Sequence, residues 1–281
     1  MLKVRAYAKV NLTLEVVSKR DDGYHNIRSV MQTVDIFDEL HISKSNTLSL
    51  NSNVKSLENQ NNLVLRAAEM LRKEVNQDLG AEIILEKGIP LASGLGGGSS
   101  DAAATLKALN QLWQLDLTHD RLMAMSASIG SDVPFFLSGG LAMVWGRGEQ
   151  VTHLETIANG HFVFLIPDLE ITNKTAWIYS HITPTLFTNG DRSRDLFSSI
   201  SDDSDVNTDL LGNVFQSITP ELIPSIKKYQ GDLLNAGAPN ALLSGTGPSV
   251  YAYIRESKAA LRIKNRLEKL GHRPILAKPV K

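Results

Sequence analysis

Cysteine is absent from the 281 residues. That excludes disulfides and thiolate metal sites, and nothing in the chain calls for an oxidising compartment. An excess of charge of one sign is also missing: 29 Lys+Arg stand against 30 Asp+Glu, with no long basic run. Nucleic acid, whose binding draws on clustered positive charge, is therefore not an expected partner. Long apolar runs are missing too. The longest, such as 162–166, fall far short of a bilayer span. Lys3, Arg5 and Lys9 interrupt the N-terminal stretch, so it holds no signal-peptide core. These absences predict a soluble protein, most simply cytoplasmic, with neither membrane nor nucleic acid as its partner. The length allows one large or two modest domains, each with its own core.

Glycine, by contrast, is concentrated at one place: Ile89-Pro90-Leu91-Ala92-Ser93-Gly94-Leu95-Gly96-Gly97-Gly98-Ser99-Ser100-Asp101-Ala102-Ala103-Ala104. A strand-like run, 81–86, precedes it, and apolar residues at Ala102, Ala103, Leu106, Leu109 and Leu112 follow with helical spacing. Ser99, Ser100 or Asp101 is expected to cap that helix. A loop without Cβ atoms can fold its N–H groups around an anion, and a helix N-terminus adds partial positive charge. The stretch reads as a phosphate cradle; the plainer alternative is a flexible strand-to-helix connection. Two common phosphate motifs are absent. No Gly-Lys-Ser/Thr follows, so no lysine comes with the loop. The dinucleotide pattern also fails, because the third glycine falls on Ser99 or Asp101. Positive charge for a bound phosphate must come from elsewhere in the chain or from a metal ion.

The opening segment alternates strictly. Leu2, Val4, Ala6, Ala8, Val10, Leu12, Leu14 and Val16 take one face of a predicted strand; Lys3, Arg5, Tyr7, Lys9, Asn11, Thr13 and Glu15 take the other. Lys9 and Asn11 then point the same way, about 7 Å apart. A solvated outer face is the ordinary reading of such residues, but Asn is depleted in strands and Ala8 leaves room for another element. Asp21-Asp22-Gly23-Tyr24-His25 is a turn signature leading into a strand over 27–36. Tyr24 and His25 either cover strand ends or stack on and hydrogen-bond a planar ring.

Polar residues over 43–62 predict an outer hairpin and a loop, followed by a helix over 63–74. Thr118 is positioned to cap another helix. Asp132, ahead of Val133-Pro134-Phe135-Phe136, is either a turn or cap residue or a carboxylate that needs a cationic partner, for which Lys9 is a candidate. Glycines at 139, 140, 146 and 148 suggest a first domain of residues 1–155 and a second of 156–281. The second reads as β-α-β-β-α-β, with strands near 162–167 and 249–254 and helices near 221–235 and 257–270, the last ending at Gly271. Residues 188–209, rich in Asp, Ser, Asn and Arg, predict a mobile surface loop. Leu243-Ser244-Gly245-Thr246-Gly247-Pro248-Ser249 is a second small-residue loop entering a strand.

The 90–104 stretch resembles the central motif of the GHMP kinases, a superfamily of small-molecule kinases. Ala8-Lys9-Val10-Asn11-Leu12, Asp22-Gly23-Tyr24-His25, the glycine loop, Asp132-Val133-Pro134-Phe135-Phe136 and Ser244-Gly245-Thr246-Gly247-Pro248 resemble, in the same order, the motifs of one branch of it. The resemblance spans nearly the whole chain. It implies an α+β fold with a ribosomal protein S5 domain 2-like N-terminal domain and a ferredoxin-like C-terminal domain. It further implies ATP-dependent phosphorylation, with Mg2+, of the 2-hydroxyl of 4-diphosphocytidyl-2-C-methyl-D-erythritol in the non-mevalonate isoprenoid pathway. By position, Lys9 and Asp132 match the catalytic pair, with Asp132 as base. Residues from Pro90 to Ser100 match the nucleotide loop, and Asn62 and Lys87 fall on the adenosine side. Asn11 matches a substrate-contacting asparagine, and Tyr24 and His25 match the residues that stack on and read cytosine. Thr175 is expected near the methylerythritol, and Tyr179 to face Tyr24 across the base, with Trp177 as the alternative ring. Stretch 167–174 is about two residues longer than the family pattern; Ser93 and Trp145 depart from it, and the insert around 191–209 has no family role. Rival readings are another kinase of the superfamily, for mevalonate, homoserine or a sugar, and a non-catalytic nucleotide or RNA binder.

Overall fold

The structure is a computed structural model that describes residues 1–154, 160–169, 171, 173–203 and 206–281. In chain order the first half contains β1 (Leu2–Asn11), β2 (Thr13–Lys19), β3 (His25–Ser45), β4 (Leu48–Ser52), α1 (Leu63–Val75), β5 (Gly80–Glu86), α2 (Gly97–Leu112), α3 (His119–Ser126), α4 (Val133–Ser138), β6 (Leu141–Gly146) and β7 (Gln150–Leu154). The second contains β8 (His161–Leu165), α5 (Lys174–Tyr179), α6 (Asp191–Asp203), β9 (Gly212–Asn213), α7 (Thr219–Leu222), α8 (Ser225–Asn235), β10 (Leu242–Leu243), β11 (Val250–Ile254), α9 (Ser257–Lys269) and β12 (Ile275–Ala277). No helix among the described residues is long and apolar enough to cross a membrane.

The chain divides into two compact units that do not follow sequence order. One comprises Met1–Ala8, Ile36–Pro90 and Gly96–Gly139; the other comprises Lys9–Asp35, Leu91–Leu95 and Gly140–Lys281. The boundary expected at residue 155 lies outside the described residues.

In the first unit, β5 pairs antiparallel with the second half of β3, from Glu39↔Glu86 to Ser45↔Gly80, and parallel with β4, from Leu48↔Ala81 to Ser52↔Leu85. The hairpin expected over 43–62 is thus corrected: β5 lies between β3 and β4. Its alternation explains this, since Ala81, Ile83 and Leu85 are all buried and belong in a central strand. Helices α1 and α2 pack on each other. Asn62 caps α1 by accepting from Val64 N at 2.9 Å, and Thr118 caps α3 as expected.

In the second unit, the first half of β3 is flanked by β2 and β6, both antiparallel, and β7 extends the ladder from β6. A separate antiparallel sheet runs β10-β11-β8-β12. Numbered by its own strands this is 2-3-1-4, the ferredoxin-like order that the family resemblance implies. Val163, Leu165, Val250, Ala252 and Ile254 from this sheet share a core with Ile226 and Leu233 of α8 and Ala260, Ile263 and Leu267 of α9. The helix expected over 221–235 is interrupted: α7 ends at Leu222 and α8 starts at Ser225, after Pro224.

The opening strand breaks at Leu12, and Lys9, Asn11, Thr13 and Glu15 are as buried as their apolar neighbours, in line with the Asn and the small Ala8 that weigh against a solvated face. The loop expected over 188–209 contains α6 instead. Its polar composition conceals a buried stripe of Ser193, Leu196 and Ile200 at helical spacing. Buried Glu15 anchors this helix, accepting from Ser193 N at 2.8 Å, Ser193 Oγ at 2.7 Å and Thr188 Oγ1 at 2.8 Å. Glu15→Ala strands those donors and is expected to lower the unfolding free energy by about 1–3 kcal/mol. Amide protection should fall first over 191–200. Urea denaturation with hydrogen exchange checks this, and an unchanged midpoint contradicts it.

Candidate active site

The glycine stretch is held in two portions. Leu91–Leu95 belongs to the second unit, where three elements fix its path. From β1, Lys9 N donates to Leu95 O at 2.9 Å. From the 243–249 loop, Ser244 Oγ donates to Gly94 O at 3.1 Å and Ser249 N to Ser93 O at 3.1 Å. From α5, the Lys174 ammonium donates to Ala92 O at 2.8 Å and to Gly247 O. Gly94 has φ +86°, and a Cβ there would lie 2.5 Å from Ser244 O and 2.7 Å from Gly247 O. Only glycine fits.

The same loop reaches the opening strand. Gly245 N donates to Asn11 Oδ1 at 2.9 Å, and the Lys9 ammonium donates to the same oxygen at 2.6 Å. Asn11 Nδ2 in turn donates to Ser29 Oγ at 2.8 Å, and Tyr251 OH to Asn11 O at 2.7 Å. A Cβ on Gly245 would lie 3.6 Å from Lys9 Nζ. Lys9 and Asn11, paired in the sequence by spacing alone, are thus joined by one hydrogen bond in a buried polar cluster.

Gly96–Ser100 belongs to the first unit. Helix α2 begins within the glycines, not at the serines: Gly96, at φ +76°, takes the cap position, and no side chain caps the first turn. The N–H groups of that turn have no intrahelical acceptors, and together with the helix dipole they make an anion-accepting end. Ser99, Ser100 and Asp101 lie inside the helix rather than ahead of it. Ser100 Oγ donates to Tyr7 O at 2.7 Å. A Cβ on Gly97 would meet Lys87 Nζ at 3.2 Å and Asp38 Oδ2 at 3.3 Å.

Lys87, expected near an adenosine, has its ammonium committed to the buried carboxylates of Asp38 and, at 2.7 Å, Asp101. Asp38 Oδ1 also accepts from Gly88 N at 2.7 Å and Ile89 N at 2.8 Å, fixing the chain as it enters the cradle. Asn62, the other expected adenosine contact, is partly exposed and caps α1. Asp132 is partly exposed at the cap position of α4, without capping it. Helix α4 packs on α2, and a Cβ on Gly130 would lie 3.8 Å from Ser99 Oγ. The segment carrying Asp132 therefore lies beside the first turn of α2.

Tyr24 is 54% exposed, and the Arg147 guanidinium sits 5.1 Å from its ring centroid. His25 is buried; burial, aided by Lys19, pushes its imidazole below the usual histidine range. Its Nε2 has no hydrogen-bond partner among the described residues. Its ring stacks at 5.4 Å on Tyr179, which packs at 4.8 Å against Phe215. Trp177, on the same short helix, is 37% exposed and edge-on to His181. Thr175 is exposed.

Sequence reasoning assigned no role to Asp38, Arg147 or Lys174. Asp38 shares the parity of apolar Ile36, Leu40 and Ile42, which was the available signal for it; the two loop carbonyls that Lys174 serves come from distant stretches and left none. Glu39, His41 and Glu86 also cluster on β3 and β5. Glu39 is already paired with Lys3 at 2.6 Å and with His41 at 2.9 Å, so the group reads as an ion-pair network.

The family profile described as GHMP kinases N terminal domain matches residues 62–140, and that described as GHMP kinases C terminal matches residues 193–273. The chain belongs to the GHMP kinase family. Its relatives include proteins named 4-diphosphocytidyl-2-C-methyl-D-erythritol kinase. That of Dehalococcoides mccartyi is 40% identical over 277 residues, covering 98% of this chain and 97% of the relative. That of Listeria monocytogenes is 35% identical over 281 residues, covering 99% and 96%. A crystal structure of 4-(cytidine 5'-diphospho)-2C-methyl-D-erythritol kinase superposes with a TM-score of 0.83 at 28% identity, over the whole of both chains.

The Asp101 carboxyl is pushed up to about 7, by burial first, against the pull of Lys87 and with the like charge of Asp38 adding. A carboxyl raised in the fold binds more protons folded than unfolded between about pH 4 and 7, so it makes stability fall as pH rises through that window. Asp101→Asn removes this contribution. The unfolding free energy of wild type minus that of the variant should therefore decline from pH 4.5 to 7.5 and level off above. Urea titrations across that range check it, and a pH-independent difference contradicts it.

Proposed function

We propose that this chain is the kinase that phosphorylates the 2-hydroxyl of 4-diphosphocytidyl-2-C-methyl-D-erythritol with ATP, a step of the non-mevalonate route to isoprenoids. The observation that carries the reading is the cradle. Its approach is made by backbone alone at Gly94, which has no room for a side chain, and a side chain at Gly97 would be tight. It ends in an uncapped helix turn, and buried Lys9 is hydrogen-bonded through its N–H to Leu95. That combination fits a triphosphate, for which alignment and charge compensation matter more than covalent chemistry. In linear terms we assign nucleotide binding to residues 1–155 and the GHMP C-terminal part to 156–281.

In this reading Asp132 takes the proton of the attacking alcohol as its oxygen bonds to the γ-phosphorus. The bond from that phosphorus to the β-γ bridging oxygen breaks, and ADP leaves. Lys9, oriented by Asn11, compensates the negative charge that develops on the transferred group. The hydroxyl oxygens of Ser99 and Ser100 are of the hard type that suits Mg2+. When bound, the ion would spread phosphate charge. Asn11 and Thr175 are assigned to the methylerythritol, and Asn62 and Lys87 to the adenosine side of the cradle. His25 fits a cytosine edge through its buried, unpartnered Nε2. Tyr24 stacks on the base. Of the two rings on α5, Trp177 is the one we assign to the opposite face, because Tyr179 already packs on His25 and Phe215.

A coupled ADP-release assay across this alcohol, mevalonate, homoserine and galactose tests the proposal. Turnover on 4-diphosphocytidyl-2-C-methyl-D-erythritol alone is expected; preference for another alcohol, or RNA retention without ATP consumption, overturns it. Asp132→Asn and Lys9→Ala are each expected to lower kcat about a hundredfold or more with the fold intact by circular dichroism. Near-wild-type turnover would remove either residue from its role. Tyr24→Ala should raise the KM for the cytidyl substrate while the KM for ATP stays level, and equal rises for both would argue against the cytosine role.

A further inference from the structure

The glycine loop carries no lysine of its own, yet one reaches it from 82 residues away in sequence. Lys174 begins α5, and its ammonium is buried against Ala92 O and Gly247 O, one carbonyl from each glycine loop. Ala92 is held at φ +51°, a left-handed conformation uncommon for a residue with a Cβ. Its carbonyl is one of those the ammonium holds. An ammonium has three N–H donors; among the described residues two of them serve these carbonyls.

We infer that Lys174 is a positioning residue that locks Leu91–Leu95 in its anion-accepting path and supplies the positive charge which that loop lacks. This rests on the kinase reading of the cradle. Among the described residues that hold the ammonium, those of Leu91–Leu95 and of the 243–249 loop include no titratable group. Strand β1 brings Lys9, and α5 itself adds Tyr179. Burial first, and the like charge of Lys9 second, push the Lys174 ammonium down to about 8. Free protein therefore loses this proton above pH 8, whereas a bound triphosphate favours the charged form. Nucleotide binding must then take up a proton in that range and weaken as pH rises.

The test is calorimetry of ATP binding, without acceptor alcohol, at pH 7.0 and 9.0 in buffers of different ionisation enthalpy. Wild type, Lys174→Met and Lys174→Arg are compared, each checked for folding by circular dichroism. Wild type is expected to lose about tenfold in affinity between the two pH values and to take up a proton on binding at pH 9.0. Folded Lys174→Met should bind ATP at least tenfold more weakly at pH 7.0 and show no such uptake. Lys174→Arg, which stays charged, should hold its affinity across the range. Proton uptake in wild type needs no variant, so the inference stays testable if the substitutions fail to fold. Its absence, or a folded Lys174→Met with wild-type affinity, overturns the role of Lys174 and leaves the kinase reading standing. If wild type binds no ATP at either pH, the kinase reading fails and the inference with it.

Discussion

The path of Leu91–Leu95 depends on contacts to its main chain. Ala92, Ser93, Gly94 and Leu95 each present a carbonyl that accepts a hydrogen bond, and the donors come from β1, α5 and the 243–249 loop. A peptide that turns its oxygens outward onto such donors is free to turn its N–H groups elsewhere. The conformation is otherwise unfavourable, since it requires positive φ at both Ala92 and Gly94. The fold stabilises it by making three sequence-distant elements converge on five residues.

Buried cations are handled in two different ways. In the first unit, Lys87 is matched by two carboxylates, so its charge is spent on structure: it ties Asp38, and through it the start of the cradle, to the first turns of α2. In the second unit, Lys174 meets carbonyl dipoles and Lys9 donates to an amide oxygen. The two carboxylates cancel the charge of Lys87, whereas carbonyl dipoles orient the Lys174 ammonium without cancelling it.

Much of this was legible in the residues. The glycine run between a strand and a helix announced a close main-chain approach, because only an absence of Cβ atoms permits one. The shared parity of Lys9 and Asn11 announced a pair, and Thr118 marked a helix start by its side-chain chemistry. The misses have physical causes. Helix α6 was hidden because three buried positions suffice to dock a helix whose other residues are polar. The start of α2 was put at the serines because cap rules assume a side-chain oxygen, whereas here left-handed Gly96 begins the helix. The order β4-β5-β3 was missed because a polar link between strands looks the same whether the strands are neighbours or are separated by a third. Lys174 could not be read at all, since its partners are carbonyls, which every residue carries and no sequence pattern distinguishes.

Gly94 lies against two carbonyl oxygens with no space for even a methyl group. A ligand that bonds to the main-chain groups of residues 91–95 would touch atoms that substitution cannot remove, and a substitution at Gly94 would displace the loop itself.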